Sequence, residues 1–424
     1  MKVELGFGKQ KLKVDIEDKN LLEILKPNTL DGTIDQIEEV RHALKNPIGT
    51  KRLKDIVKPG EKIAIITSDI TRPMPSKLIL PEVIKELLQA GVDPKNIKIV
   101  FALGNHRKHT EEEKRQLVGE DIFSKVQCID SDGRNFINMG KTSHGTPVDI
   151  YRKVALADRR ICLGNIEYHY FAGYSGGAKA IMPGVSSREA IQENHSMMVR
   201  EEAKAGEIGQ NPVRQDLEEA ISFVPIDFIV NVVLNEKKEI VKAVAGHYIE
   251  AHREGCKFLD SIYKISIKEP ADIVIVSPGG YPKDINMYQA QKALDNAKHA
   301  VKDGGIIIWV ASCREGLGEK VFEKWITQAD HPNDMVKKIK SNFQLGGHKA
   351  AAIGMVLNRC EIYMVSELRD EIVKEAFLIP FHDVDSALQQ AFYKLGNDSK
   401  VIVMPYGGST LPVLKSKLAA EEMK

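Results

Sequence analysis

A lysine on a glycine-rich segment, with a histidine before it and another after it, is the most chemically informative feature of the chain. Lys179 lies in EYHYFAGYSGGAKAIMPGVS, ten residues after His169, and His195 follows in ENHSMM. Gly176 and Gly177 have no side chains and would let the lysine amine approach a bound cofactor closely. Together these residues suggest an attachment point for a cofactor, a ligand and a base.

The same segment also has a purely structural interpretation. The glycine loop could simply pack a helix against a sheet, with Tyr168, Tyr170 and Tyr174 as core aromatics. The sequence GYSGGAK lacks the GK[ST] ending of a Walker loop and does not match GxGxxG, so neither an NTPase nor an ordinary dinucleotide fingerprint fits.

Polar residues also follow two predicted strands upstream. TSDITRPMPS presents Asp69 and Arg72, an acid and a fork-shaped cation that suit a hydroxyl and a carboxylate or phosphate. The alternative is a structural pair that caps the next helix. ALGNHRKHT presents His106 as a candidate general base. His109, closer to the helix start at Thr110, is expected to be exposed.

In the second half of the chain, GGYPKDINMYQAQKALDNA places Gln289 and Lys292 three residues apart. That spacing puts them on one face of a helix near its start, where a lysine favours anions. The alternative for Lys292 is an ordinary solvated lysine.

Two series of alternating strands and helices carry these residues. KIAIIT, SKLILPEVIKELLQAGV and NIKIVFALG have βαβ rhythm from residue 61, and residues 228–247 are predicted to form a hairpin. Capping boxes are predicted at Thr110 with Glu113 and at Ser186 with Glu189. ADIVIV, GGIIIWV, EIYMV and KVIVM predict a second, smaller doubly wound sheet.

We therefore predict an α/β chain with two domains. Residues 1–266 form a mixed α/β domain, 267–412 a doubly wound parallel-sheet domain, and 413–424 a helix that packs on the first domain. Ligands collect beyond the carboxyl ends of parallel strands, so the active site is expected in the cleft between the domains.

Composition excludes several classes of protein. A net charge of +1 gives no broad cationic field for nucleic acid or anionic lipid, and no segment has a long enough apolar run to span a membrane. Cytoplasmic residence is therefore expected. The 5 cysteines are scattered, without CxxC, and are expected to be buried small hydrophobes rather than disulfides or zinc ligands.

Taken in order, the motifs SDxTRP, GNHR, EYHYFAGYSGGAKxIMPG, ENH and YQAQKA resemble the nickel-pincer lactate racemase family, whose members act on 2-hydroxy acids. The resemblance spans most of the chain. It implies a cytoplasmic isomerase, a racemase or epimerase of lactate or a related 2-hydroxy acid.

The resemblance also implies a cofactor and roles for individual residues. The cofactor is a nicotinate-derived mononucleotide with two sulfur arms and a ring carbon that grip nickel, joined to Lys179 through a thioamide. His195 corresponds to the nickel ligand, and His106 and His169 to the two acid/base histidines. The remaining residues that line the cofactor and substrate site are Asp69, Arg72, Gln289 and Lys292. Separate biosynthetic proteins would supply the cofactor.

This chemistry suits the substrate. The α C–H bond beside an ionised carboxylate is very weakly acidic, whereas removing a hydride while a histidine takes the hydroxyl proton gives a neutral ketone group. Return of the hydride to the other face inverts the centre. Arg72 and Lys292 would hold the substrate carboxylate.

Two other functions are compatible with the sequence. One is a conventional NAD-dependent 2-hydroxyacid oxidoreductase, and the other is a hydroxy-acid-binding protein without catalysis. The substrate beyond C2 is not assigned: Arg314 or His348 could contact a longer, polar acid, although a surface or structural role suits each of them better.

Overall fold

The computed structural model describes residues 1–30, 32, 34–104, 106–133 and 135–415. It divides into two compact units, and the first consists of Asp31–Asp260. The second unit combines Met1–Leu30 with Ser261–Lys424.

The chain begins with a hairpin that belongs to the second unit. Strands β1 (Lys2–Phe7) and β2 (Gln10–Asp15) pair antiparallel, as the alternating sequence suggests, and β3 (Leu21–Ile24) follows. Leu5 is fully buried in the same core cluster as Ile273 and Ile308. This arrangement differs from the predicted division of the chain, which placed residues 1–30 in the first domain.

The first unit contains the strands β4 (Ile63–Ser68), β5 (Ile97–Ala102), β6 (Gln127–Asp130), β7 (Phe136–Lys141), β8 (Pro147–Tyr151), β9 (Arg159–Ile166), β10 (Tyr168–His169), β11 (Gly173–Tyr174), β12 (Phe228–Leu234) and β13 (Ile240–Gly246). Its helices are α1 (Gln36–Lys45), α2 (Leu53–Ile56), α3 (Ser76–Gln89), α4 (Glu111–Val118), α5 (Glu120–Lys125), α6 (Arg152–Ala155), α7 (Arg188–Ser196), α8 (Pro212–Glu219) and α9 (Glu250–Tyr263), the last running three residues past the unit boundary.

The main sheet of the first unit has the strand order β13-β12-β9-β4-β5-β6. Neighbouring strands are parallel except for β12 and β13, which form the antiparallel hairpin predicted over residues 228–247. Five of the six residues of β4 are buried, as expected of a central parallel strand covered on both faces. The predicted mixed α/β character is confirmed.

The second unit continues with β14 (Lys264–Ile267), β15 (Ala271–Val276), β16 (Val301–Val310), β17 (Glu361–Val365), β18 (Ile379–Phe381), β19 (Val401–Met404) and β20 (Leu411–Leu414). Its helices are α10 (Met287–Ala297), α11 (Lys320–Thr327), α12 (Pro332–Ser341), α13 (Gly347–Leu357), α14 (Asp370–Glu375) and α15 (Val384–Leu395).

The sheet of the second unit has the order β18-β17-β16-β15-β19-β3, with every neighbouring pair parallel. The predicted doubly wound sheet is confirmed, and its outer strand β3 comes from the start of the chain. β14 pairs with β20, so Val413 and Leu414 extend a strand where a helix was expected. The rest of that predicted helix, from residue 416 onward, lies outside the described residues.

Helix caps agree in part with the sequence. Thr110 and Glu113 form the predicted capping box at α4. At α7 the cap is Ser187, whose hydroxyl accepts from the Ala190 N–H, while Ser186 donates to the Ile181 carbonyl. The predicted cap at Ser186 was wrong by one residue.

The cysteines and the helices agree with the composition. All 5 cysteines are free thiols, and four of them are buried. Among the described residues no helix combines the length and the apolar character that crossing a membrane requires.

We predict that Leu5→Ala destabilises the second unit by roughly 2–5 kcal/mol, because a buried leucine is lost and a cavity remains. Urea unfolding measures the change, and hydrogen exchange should show lost protection in β15–β19. Leu22→Ala, at a position 37% exposed in β3, is the matched control and should stay within about 0.5 kcal/mol of the wild type. Equal effects of the two substitutions would contradict the placement of the hairpin in the core.

Candidate functional site

Three neighbouring strands of the first unit end at one edge of its sheet with polar residues. β4 lies between β5 and β9, and the chain order reverses between β4 and β9. Asp69, His106 and Glu167 follow the carboxyl ends of β4, β5 and β9 respectively. Such a reversal leaves a crevice beyond the strand ends, so this edge is the favoured place for a ligand.

Asp69 and His106 form a hydrogen-bonded pair. The His106 Nδ1 lies 2.7 Å from Asp69 Oδ2, and Thr71 donates its hydroxyl to the same carboxylate at 2.9 Å. Asp69 is buried, which by itself would raise its pKa, but the hydrogen bonds and charge of His106, with Thr71 and Arg72, outweigh burial and lower the pKa. Asp69 is therefore a carboxylate that orients an exposed imidazole.

His109 has a structural role. Its Nδ1 lies 2.7 Å from Asp130 Oδ1, and its Nε2 accepts from the Ile70 N–H at 3.0 Å. The side chain is fully buried. The expectation of an exposed His109 was wrong, because this ring joins the loop after β4 to the end of β6.

Arg72 contacts an acid from a different strand. Its guanidinium lies 3.6 Å from Glu167 Oε1, and both side chains are about one-third exposed, at 39% and 31%. Asp69 instead pairs with His106, so the alternative of a helix-capping pair between Asp69 and Arg72 is not what the structure contains.

The ring of Phe171 brings the lysine and two histidines together. It lies 4.5 Å from the His169 ring and 4.8 Å from the His195 ring, both edge-on. The Lys179 amine is 5.9 Å from the centre of the same ring. The three residues singled out from the sequence therefore surround one phenyl group.

Lys179 lies on a 3₁₀ turn, Gly177–Ala180, and is partly buried. Desolvation of its amine, reinforced by the positive charges of Arg214 and Arg72, holds its pKa well below the usual 10.5 of a lysine. A lysine amine with a lowered pKa is uncharged over a wider pH range, which makes it a better nucleophile.

The two glycines before the lysine are required by the packing beneath them. Gly176 and Gly177 have φ of 78° and 57°, a region that favours glycine. A Cβ on Gly176 would lie 2.8 Å from Asn231 Oδ1, and one on Gly177 would lie 3.0 Å from the His252 ring. Asn231 also accepts from the Gly177 N–H at 2.8 Å. The protein's own interior thus accounts for both glycines, a reason that the sequence interpretation did not include.

A fully buried arginine holds the loop between β10 and β11. Arg214 donates to the Ala172 carbonyl at 3.2 Å and to the Tyr174 carbonyl. Burial lowers the pKa of Arg214 to about 10, so the guanidinium remains a cation at neutral pH. Asn211 donates to the Phe171 carbonyl at 2.9 Å. These bonds fix the backbone that carries Phe171.

The second unit holds the remaining candidates. Gln289 and Lys292 lie in the first two turns of α10, as predicted. Arg314 forms an exposed ion pair with Glu367 at 3.1 Å. His348 is buried, accepts from the Gly346 N–H at 2.9 Å, and has its pKa lowered to about 3 by burial and by the nearby Lys349. Arg314 and His348 therefore have the surface and structural roles that suited them better.

Several residues of the site were not found from the sequence. Phe171 was within the motif but had no chemical group to single it out. Arg214, Asn231 and His252 lie far from the motif in sequence, on α8, β12 and α9. Nothing local distinguishes them, and only the fold places them under the glycine loop.

Known families match nearly the whole chain. The family model of the lactate racemase N-terminal domain matches residues 7–206, and that of the lactate racemase C-terminal domain matches residues 266–411. The lactate racemase of Thermoanaerobacterium thermosaccharolyticum is 37% identical over 421 residues, which cover 96% of this chain and 98% of that protein. The lactate racemase of Lactiplantibacillus plantarum is 32% identical over 417 residues, with the same coverage.

Solved structures agree with these matches. The lactate racemase apoprotein from Thermoanaerobacterium thermosaccharolyticum superposes with a TM-score of 0.91 at 36% identity, over 97% of this chain and 100% of that chain. A Thermotoga maritima protein shares the fold at a TM-score of 0.67 and 18% identity, over 91% of this chain and 100% of that one.

We predict that Lys179→Met raises the free energy of unfolding near neutral pH. The pKa of Lys179 is lower in the folded than in the unfolded chain, so the unfolded state binds more protons and wild-type stability rises with pH up to about 10.5. The advantage of the methionine variant should therefore shrink as pH approaches 10.5. Urea unfolding of both proteins at a series of pH values measures this difference in the free energy of unfolding.

Lys45→Met, at an exposed position of α1, is the matched control for this series and should not reproduce the trend. A stability difference between Lys179→Met and the wild type that stayed constant up to pH 10.5 would show that the amine is not desolvated in the folded chain.

Proposed function

Because this chain belongs to the lactate racemase family and is an isomerase, we propose that it interconverts the stereoisomers of lactate or a related 2-hydroxy acid with a nickel pincer nucleotide attached to Lys179. The observation that carries the proposal is the convergence of Lys179, His169 and His195 on the ring of Phe171.

The residues present fit such a cofactor. Lys179 offers an amine with a lowered pKa, which suits a covalent thioamide link. His195 is buried and its Nδ1 lies 2.9 Å from Asn194 Oδ1, so a neutral ring would present Nε2, a suitable nickel ligand. Arg72, which is 39% exposed, offers a positive charge that suits an anionic ligand. Separate biosynthetic proteins would make the cofactor.

When bound, the cofactor would supply hydride-acceptor chemistry for C2 of the substrate. The protein's own residues then manage the hydroxyl proton and the position of the substrate.

His106 and His169 move the hydroxyl proton in this proposal. Asp69 accepts from the His106 Nδ1, so a neutral His106 carries its lone pair on Nε2 and can receive a proton there. His169 is held in the opposite way, because its Nδ1 accepts from the Ala172 N–H at 3.3 Å and the proton of the neutral ring is then on Nε2. A neutral His106 can thus take the hydroxyl proton, whereas a neutral His169 presents an N–H that can hydrogen-bond the substrate oxygen and returns a proton only after the ring has itself been protonated.

The proposal also assigns residues to substrate binding. Arg72 would pair with the substrate carboxylate in the bidentate way that a guanidinium allows. Gln289 and Lys292 are substrate-binding residues only as the family resemblance implies. Ordering the carboxylate fixes the position of C2 and removes much of the entropic barrier to reaction.

We predict that Lys179→Ala abolishes covalent attachment of the cofactor. Mass spectrometry of protein matured with the cofactor-making proteins should show an adduct on Lys179 of the wild type and none on the variant. Lys179→Arg, which keeps a positive charge but cannot form the thioamide, should also lack the adduct, and Lys45→Ala should retain it. Full racemisation of enantiopure lactate by Lys179→Ala, followed by optical rotation, would overturn the mechanism.

The same assay separates the alternatives. Enantiopure 2-hydroxy acids should lose optical rotation without net formation of keto acid. Net keto acid formed with free NAD and no nickel would indicate an oxidoreductase, and binding without exchange of the α hydrogen would indicate a binding protein.

We predict that Asp69→Asn lowers kcat by roughly 10²–10⁴-fold, the range of general acid–base catalysis, with little change in KM. The amide can turn its N–H₂ toward the His106 Nδ1 and so favour the tautomer that cannot accept a proton at Nε2. Steady-state kinetics on the matured wild-type and Asp69→Asn enzymes measure kcat and KM. Thr71→Val removes the other side-chain partner of Asp69 and should cause a smaller loss; an equal loss would contradict the role of the His106 pair.

A further inference from the structure

The side-chain amide of Asn194 has a fixed orientation next to His195. Its Nδ2 donates to the Val213 carbonyl at 3.1 Å and to Asp216 Oδ2 at 2.8 Å, which uses both amide hydrogens. Asn194 is fully buried. The oxygen and nitrogen of an asparagine amide have nearly the same shape, so they are told apart by their hydrogen-bond partners. Both partners here are acceptors, and the atom that faces them is therefore the nitrogen.

The remaining atom of that amide, Oδ1, lies 2.9 Å from the His195 Nδ1. An amide oxygen can only accept, so Nδ1 must carry a proton. In a neutral imidazole the lone pair is then on Nε2. The hydrogen bond at one nitrogen therefore decides which nitrogen can bind a metal.

Asp216 holds the other end of this chain of hydrogen bonds. It is fully buried on α8 and accepts from the hydroxyls of Thr142 and Thr146 as well as from Asn194. A carboxylate that accepts from three donors is well satisfied inside the protein. Its position is thus set independently of His195.

The same carboxylate also lies near His144 and Glu219. One atom of each of the three side chains could bind a metal, and these atoms lie within 4.8 Å of one another. Both oxygens of Asp216 already accept hydrogen bonds, and Glu219 accepts from the N–H and hydroxyl of Ser143. The carboxylates of this group already accept hydrogen bonds from the protein. The Asp216 carboxylate is therefore a hydrogen-bond partner of Asn194 rather than a ligand of a second metal.

We propose that Asn194 and Asp216 are positioning residues that hold His195 in the Nδ1-protonated tautomer with Nε2 directed at nickel. The inference rests on the proposed function for the identity of the metal, whereas the tautomer itself is a property of the chain without cofactor. Outer hydrogen-bond partners of this kind orient metal-bound histidines and raise their basicity.

The tautomer is measured by nitrogen NMR of protein labelled with ¹⁵N-histidine and prepared without cofactor. The His195 ring, assigned with a His195→Gln variant, should show a protonated Nδ1 and an unprotonated Nε2 in the wild type. Asn194→Leu removes the acceptor, and the proton should spread to Nε2. In matured Asn194→Leu protein, the affinity for nickel should be roughly 10–100-fold weaker than in the wild type. Elemental analysis should then find less nickel per attached cofactor in the variant.

Two further variants separate tautomer control from a structural effect. Thr146→Val removes a different donor from the same Asp216 oxygen and should keep both the tautomer and nickel. Asn194→Asp keeps an oxygen acceptor beside the His195 Nδ1, and in its protonated form it can still donate to Asp216. It should therefore keep the Nδ1 proton that Asn194→Leu loses, whereas a merely structural role does not distinguish the two variants.

The inference is overturned if wild-type His195 carries its proton on Nε2, or if Asn194→Leu keeps the wild-type tautomer. The NMR measurement needs no cofactor, so it stands even if Lys179 proves to carry no adduct. Conversely, an adduct on Lys179 with an unchanged tautomer in Asn194→Leu would leave the proposed function intact and remove only this role of Asn194.

Discussion

A buried cation supports the loop on which the whole site depends. Arg214 has no exposed surface and donates to the carbonyls of Ala172, at the end of a tight turn, and Tyr174, in the strand that follows. Burying a charge is costly unless hydrogen bonds compensate for the lost water. If the guanidinium were removed, each buried carbonyl left without a donor would cost about 1–3 kcal/mol of folding free energy. Because that turn carries Phe171, the ring around which Lys179 and the histidines gather, the clamp fixes the geometry of the cluster.

Three histidines of the candidate site have the same kind of contact at one ring nitrogen. Each has Nδ1 engaged by a neighbour: Asp69 for His106, the Ala172 N–H for His169, and Asn194 for His195. The partner is an acceptor for two rings and a donor for one, so the tautomer of each is set by the protein rather than by the ligand. When neutral, the three rings therefore present different groups at Nε2: a lone pair in His106 and His195, and an N–H in His169.

Local sequence patterns predicted the elements well but not which of them pack together. The strands of both sheets follow from runs of β-branched residues, and the hairpin at residues 228–247 from its alternation. The opening hairpin was also evident, yet it joins the second core, because β3 hydrogen-bonds to β19, some 380 residues away along the chain. His109 illustrates the same limit, since its burial depends on Asp130 from another strand.

The sequence by itself determined the chemical groups and their order: a lysine after two glycines, and polar residues after successive strands. Parallel strands end at a common edge, so Asp69 and His106 could be expected to lie close together. Only the tertiary structure decided what those groups can do. The lowered pKa of Lys179 arises from burial and from Arg214 and Arg72, and the amide of Asn194 beside His195 is oriented by Val213 and Asp216 of a different helix. Desolvation and hydrogen-bond direction are properties of the folded surroundings, which no local pattern encodes.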